Sequence, residues 1–124
     1  MVDATIGEVR RREWHGVGVL GLGRPVVYTE PLGRLGVRCE TVTEDLQAPL
    51  DAAIFRVMEG RNDADATAAA RAAVASLLAR GVDGVVLGCT ELPLLLPNAD
   101  DAPNLLNPTE LLAQVAVDAA LGRD

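Results

Sequence analysis

The feature that most constrains this chain is an alternation repeated along its length, in which short apolar runs are separated by stretches with helical periodicity. The runs are Val17-Gly-Val-Leu-Gly21, Val37 to Val42, Gly84-Val-Val-Leu-Gly88 and a brief Asn104 to Leu106. Strands that alternate with helices predict a parallel sheet covered on both faces. The fold class expected is therefore α/β, a three-layer arrangement with a short, mostly parallel sheet flanked by helices. It is expected to form a single domain over residues 1–124, with no internal repeat or linker.

The helices are set by their end signals. Val2 to Glu13 forms the first, and Tyr28 to Leu35 the second, closed by Gly36. Leu46 to Glu59 carries Leu50, Ile54, Val57 and Met58 on one stripe and stops at Gly60. Asn62 or Asp63 caps a further helix that runs to Arg80, with Gly81 after it. A short helix follows Cys89 and ends near Pro97. Asn107-Pro-Thr-Glu110 places Asn at the N-cap, Pro in the first turn and Glu at the third position, a strong helix start. Leu112, Val115 and Ala119 recur at helical spacing beyond it.

Charge and composition exclude several functions. A net charge of −7 argues against nucleic acid, because phosphate contacts need clustered cations. Arg10-Arg11-Arg12 ends a helix, where cations suit the dipole. No apolar run approaches the ~20 residues of a membrane span, and the first residues lack the pattern of a signal peptide. Two cysteines do not make a disulfide framework, so a reducing cytoplasm is the expected compartment. No His/Cys/Asp/Glu group has metal-ligand spacing, and Gly21-Leu-Gly-Arg-Pro lacks the third glycine of a dinucleotide fingerprint; neither a metal nor a nucleotide cofactor is expected. His15, at the amino end of the first strand, reads as structural. Tyr28 and Thr29 read as packing or surface residues, and Asp63, Asp65, Asp100 and Asp101 as solvated or helix-start charge.

In open α/β sheets, ligands bind beyond the carboxyl ends of the strands. Three segments are expected to meet there: the loop Gly21-Leu22-Gly23, the turn Gly88-Cys89-Thr90-Glu91, and the turn before the last helix. Cys89 is the candidate reactive residue. At the start of a helix its sulfur would meet unpaired N–H groups, which favour thiolate and can also hold a carboxylate. Cys89 is then expected to react with iodoacetamide faster than Cys39. Thr90 adds a hydroxyl and Glu91 a carboxylate able to relay a proton. Cys39, between Arg38 and Glu40, reads as structural.

Gly88-Cys-Thr-Glu91, preceded by Gly81-Val-Asp-Gly-Val-Val-Leu87, is similar to the second catalytic motif of the aspartate/glutamate racemases. Val17-Gly-Val-Leu-Gly-Leu-Gly23 resembles the strand and substrate loop that open the second domain of that family. Asn107-Pro-Thr-Glu-Leu-Leu-Ala113 resembles its final turn and helix. The three motifs occur in the family's order and span nearly the whole chain.

The resemblance implies two pseudo-symmetric α/β domains, each giving one cysteine to a shared substrate cleft, and no cofactor. Residues 1–105 correspond to the second domain. Residues 106–124 correspond to the C-terminal helix that in relatives packs on the first domain, which is absent from this sequence by truncation, fragmentation or assembly from halves. Leu111, Leu112 and Val115 are then expected to be exposed. Carried over, Cys89 is catalytic, while Gly88, Thr90, Glu91, Gly21, Leu22 and Gly23 bind a small carboxylate substrate. Three positions depart from the pattern: Leu22 stands where many relatives carry Thr or Ser, Asn107 where they carry Asp, and Leu112 where they often carry His.

The activity implied is cofactor-independent proton transfer at the carbon next to the carboxylate of a small acidic amino acid. One alternative is a single-cysteine decarboxylase or isomerase acting on a small diacid. Another is a non-catalytic half-domain. The partners expected are the substrate and either a second copy of the chain or the missing first domain, with no nucleic acid and no membrane.

Overall fold

A computed structural model of the chain describes residues 2–96 and 104–122. Among the described residues the elements run α1 (Val2–Arg11), β1 (Gly16–Leu20), α2 (Val26–Arg34), β2 (Arg38–Glu40), α3 (Glu44–Met58), α4 (Ala64–Leu78), β3 (Gly84–Leu87), α5 (Leu92–Leu95), β4 (Leu105–Leu106) and α6 (Pro108–Ala120). The expectations for Pro97, Asp100 and Asp101 lie outside the described residues.

The four strands form one sheet in the order β2-β1-β3-β4, and every pairing is parallel. All four carboxyl ends therefore open on the same edge. Alternation along the strands sorts side chains to the two faces. Val85 and Leu87 of β3, with Leu20 of β1, join Leu50, Ile54, Leu77, Leu92 and Leu95 in a core beneath α3, α4 and α5. Val17, Val19 and Val86 point the other way, into a second core with Val9, Tyr28, Leu32 and Leu106 beneath α1 and α2. These are the three layers expected.

The end signals act as read: Gly36, Gly60 and Gly81 follow α2, α3 and α4 with φ of +82°, +82° and +80°. Asp63 accepts a hydrogen bond from the Ala66 N–H at 2.8 Å and caps α4. Asn107 accepts from the N–H groups of Thr109 and Glu110 at 3.1 and 3.4 Å, capping α6. Two other readings shift. Residues 38–40 are the only part of Val37–Val42 that pairs, because β2 is an edge strand with one neighbour. Met58 is exposed; the buried face of α3 runs through Leu50, Ala53 and Ile54, with Val57 packed beside it, and the next helical step turns Met58 outward.

At the amino edge, the Asp83 carboxylate accepts from the backbone N–H groups of His15 at 2.8 Å and Gly16 at 3.1 Å, which holds its carboxyl below the usual carboxylate range. His15 therefore sits at the end of the sheet away from the candidate site. Arg11 and Arg12 both pair with Glu8, and Arg12 lies 5.2 Å from the centre of the Trp14 ring, so the basic run is a structural cluster. On α6, Leu111 packs on the second core rather than standing exposed as expected, while Leu112 and Val115 are 44% and 53% exposed. Among the described residues no helix is long and apolar enough to cross a membrane, and no group of His, Cys, Asp or Glu could hold a metal ion.

Candidate active site at the carboxyl edge

β1 and β3 pair in register from Val17↔Gly84 to Leu20↔Leu87, so the segments after them emerge side by side. The Gly88 N–H donates to the Leu20 carbonyl at 2.7 Å, extending the ladder by one step. A Cβ placed on Gly21 would stand 3.9 Å from the Gly88 carbonyl oxygen, so the glycine loop abuts the turn that carries Cys89. β4, on the other side of β3, delivers Asn107 to the same edge.

The turn itself brings three predicted residues together. Cys89 Sγ donates to Glu91 Oε2 at 2.9 Å, and the Thr90 hydroxyl donates to the same oxygen at 2.9 Å. Two donors on one carboxylate oxygen pull Glu91 below its ordinary pKa and keep it ionised at neutral pH. The Cys89 thiol is pushed up, first by burial and then by the Glu91 carboxylate; the N–H groups of Glu91 and Leu92 act the other way without prevailing.

This corrects the expectation of a thiol lowered by a helix start. Pro93 falls in the first turn of α5, so that helix begins at Leu92, three residues past the cysteine, and spans only Leu92–Leu95. Cys39 is also pushed up, by burial and by Glu40, so the helix terminus supplies no reason for Cys89 to be alkylated first. What distinguishes Cys89 is a carboxylate hydrogen-bonded to its sulfur, where Cys39 meets only backbone carbonyls. Glu91→Gln is expected to lower the Cys89 thiol toward its ordinary value and raise its iodoacetamide labelling rate at neutral pH several-fold, with Cys39 unchanged. Mass spectrometry of the two cysteine peptides checks this, and an unaltered Cys89 rate would contradict it.

The glycine loop is held from the opposite side by α3. Gln47 Nε2 donates to the Gly21 carbonyl at 2.9 Å, and Asp51 Oδ1 accepts from the Gly23 N–H at 3.0 Å. Neither residue was singled out in the sequence. Their spacing of four, which puts an amide and a carboxylate on one helical face, was the signal available. Leu22 is 42% exposed on the loop and offers no oxygen donor.

A cleft of about 630 Å³ lies beside the loop, between α2, the end of β2 and the start of α3, lined in part by Gly23, Arg24, Thr29, Cys39, Thr41 and Asp51. Of the predicted site residues only Gly23 lines it. Gly21, Leu22, Gly88, Cys89, Thr90 and Glu91 do not line it. Cys39 lies on β2 with its sulfur 3.7 Å from the Val37 carbonyl and 3.9 Å from that of Thr29, contacts of a packed side chain.

The fold and site together define an open, parallel α/β protein with a thiol–carboxylate pair at the carboxyl edge of its sheet. A model of the Asp/Glu/hydantoin racemase family matches residues 1–116, and the chain belongs to that family. The structure is similar to that of a candidate Asp/Glu racemase from Yersinia pestis, with a TM-score of 0.85 and 28% identity over 97% of this chain. An aspartate racemase homologue from Pyrococcus horikoshii OT3 shares the fold, with a TM-score of 0.71 and 22% identity over 96% of this chain. The chain spans 54% of the length of each of those proteins.

Proposed function

We propose that this chain carries out racemase-type proton transfer at the carbon next to a carboxylate, without a cofactor, on a small acidic amino acid. The observation that carries this reading is the 2.9 Å hydrogen bond from Cys89 Sγ to the Glu91 carboxylate, at the sheet edge where the glycine loop ends. In the resting state the proton sits on sulfur, and Cys89 is the acid. In the other direction Cys89 first passes its proton to Glu91 Oε2. The thiolate then removes the α-proton: the C–H bond breaks, its electron pair spreads into the substrate carboxylate, and the proton ends on sulfur.

Incubation with a panel of L-amino acids in deuterium oxide, including aspartate and glutamate, tests the reading. Deuterium at the α-carbon with inversion is the expected result. One observation favours a second reading: each chain brings a single thiol–carboxylate pair to this edge, which serves one face of the α-carbon. Exchange without inversion would mean one-base chemistry, as in a decarboxylase or isomerase of small diacids. No exchange with any acid would contradict both and leave a non-catalytic half. A reducing cytoplasm suits a site that depends on a free thiol.

Inversion needs a group on each face, and a homodimer would supply it by setting Cys89 and its mate across one substrate about a two-fold axis. The exposed apolar residues Leu112, Val115, Val117 and Leu121 on and after α6 support self-association. Mixing Cys89→Ala protein with intact protein is expected to lower racemisation as the square of the intact fraction. A linear decline would mean that each chain acts alone.

A further inference from the structure

We propose that Gln47 and Asp51 of α3 are positioning residues: together they clamp the Gly21–Gly23 loop at the height where it can meet a substrate carboxylate beside Cys89. This deepens the functional reading above and rests on it for its kinetic consequence, though not for the existence of the clamp.

The loop has little to hold it in place by itself. Two of its three residues are glycines, which give up the most conformational freedom when fixed. Gly23 adopts φ +64°, a conformation an L side chain enters only with strain, and Leu22 is turned toward solvent. Two hydrogen bonds from α3 fix it instead. Gln47 takes the carbonyl of the first residue, Gly21, and Asp51 takes the N–H of the last, Gly23. The loop is thus pinned at both ends from one helix.

The two side chains are also fixed to each other. Gln47 Nε2 donates to Asp51 Oδ1 at 2.6 Å, so both protons of that amide are used and the carboxylate oxygen accepts twice. Neither residue can swing away without giving up a bond to its neighbour, which is the support a binding loop needs from behind. Leu20 and Gly21 then transmit the position to the reacting turn, since Gly88 bonds to the Leu20 carbonyl and Gly21 abuts Gly88. Gln47 and Asp51 line the cleft on the far side of the loop and touch no residue of the thiol–carboxylate pair. They act on the site only through the loop.

The pattern of rescue separates this role from packing. Asp51→Asn keeps an oxygen at the Oδ1 position and is expected to preserve the clamp, whereas Asp51→Ala removes it. Gln47→Glu keeps the shape of Gln47 but replaces its donor with a carboxylate facing Asp51 and the Gly21 carbonyl. A clamp predicts that Gln47→Glu fails as badly as Gln47→Ala; a packing role predicts that it is tolerated.

The experiment measures two things in each variant: exchange of the Gly23 amide by nuclear magnetic resonance, and kcat and KM for α-proton exchange on the acid the wild type uses. In Asp51→Ala the Gly23 amide is expected to exchange about tenfold faster or more, the loss of one charge-assisted hydrogen bond. KM is expected to rise about tenfold with kcat within about twofold, because the loop binds and does not transfer the proton. Asp51→Asn stays close to wild type in both. Unchanged Gly23 exchange in Asp51→Ala, a wild-type Gln47→Glu, or a loss confined to kcat would overturn the proposal. If the wild type exchanges no α-proton, the functional reading fails, and the Gly23 amide still decides whether the clamp exists.

Discussion

Cys89→Ser is expected to leave the fold intact and lower α-proton exchange by about 10²- to 10⁴-fold, the range over which a positioned acid or base acts. The hydroxyl is smaller than the thiol and fits the same space, and Cys89 is only half-buried at the end of β3 against the core of α3 and α4, so the change in stability should stay at about 1 kcal/mol or below. The chemistry differs much more. A serine hydroxyl can still donate to Glu91 Oε2, but it does not give up its proton near neutral pH, so the step that makes a base is lost. Far-ultraviolet circular dichroism and the exchange rate measured on one preparation separate the two effects. Exchange persisting within a few-fold of wild type would remove Cys89 from the mechanism.

Gly88→Ala is expected to cost about 1–3 kcal/mol of stability, the range for forcing a group into a packed site. An added Cβ would stand 2.7 Å from the Leu20 carbonyl oxygen and 3.2 Å from the Tyr28 ring. The ring is buried, and the carbonyl is backbone already bonded to the Gly88 N–H, so neither can yield cheaply. The methyl would push β3 away from β1 at the point where Cys89 leaves the sheet. A lower urea midpoint together with lost exchange activity is the expected outcome. An unchanged midpoint would mean that the approach of the two strand ends is looser than these distances describe.

Most of the fold was legible because its signals are local. The apolar runs located β1, β3 and β4, and Asp63 and Asn107 cap the helices their positions announce. The Gly88–Glu91 turn was legible as a motif, and Cys89 and Thr90 both donate to one carboxylate oxygen of Glu91. What the sequence reading missed depends on partners distant along the chain or on a competing local rule. The start of α5 was misplaced because Cys89 follows a strand, whereas Pro93, suited to a first turn, moves the helix start to Leu92 and leaves the thiol under the influence of burial and Glu91. The cleft beside Gly23 exists because the edge strand β2 stops at Glu40 and α3 begins at Glu44, a juxtaposition of separate elements. Gln47 and Asp51 carry no local signature for the related reason that their loop partner lies more than twenty residues away.

The central claim is that the Cys89 sulfur carries the α-proton. Its most direct test is graded carbamidomethylation of the intact protein with iodoacetamide, following α-proton exchange in deuterium oxide against the modified fraction of each cysteine by mass spectrometry. The account predicts that activity falls with modification of Cys89 and vanishes when it is complete, whatever the state of Cys39. Activity that survives full modification of Cys89, or that follows Cys39 instead, would contradict it.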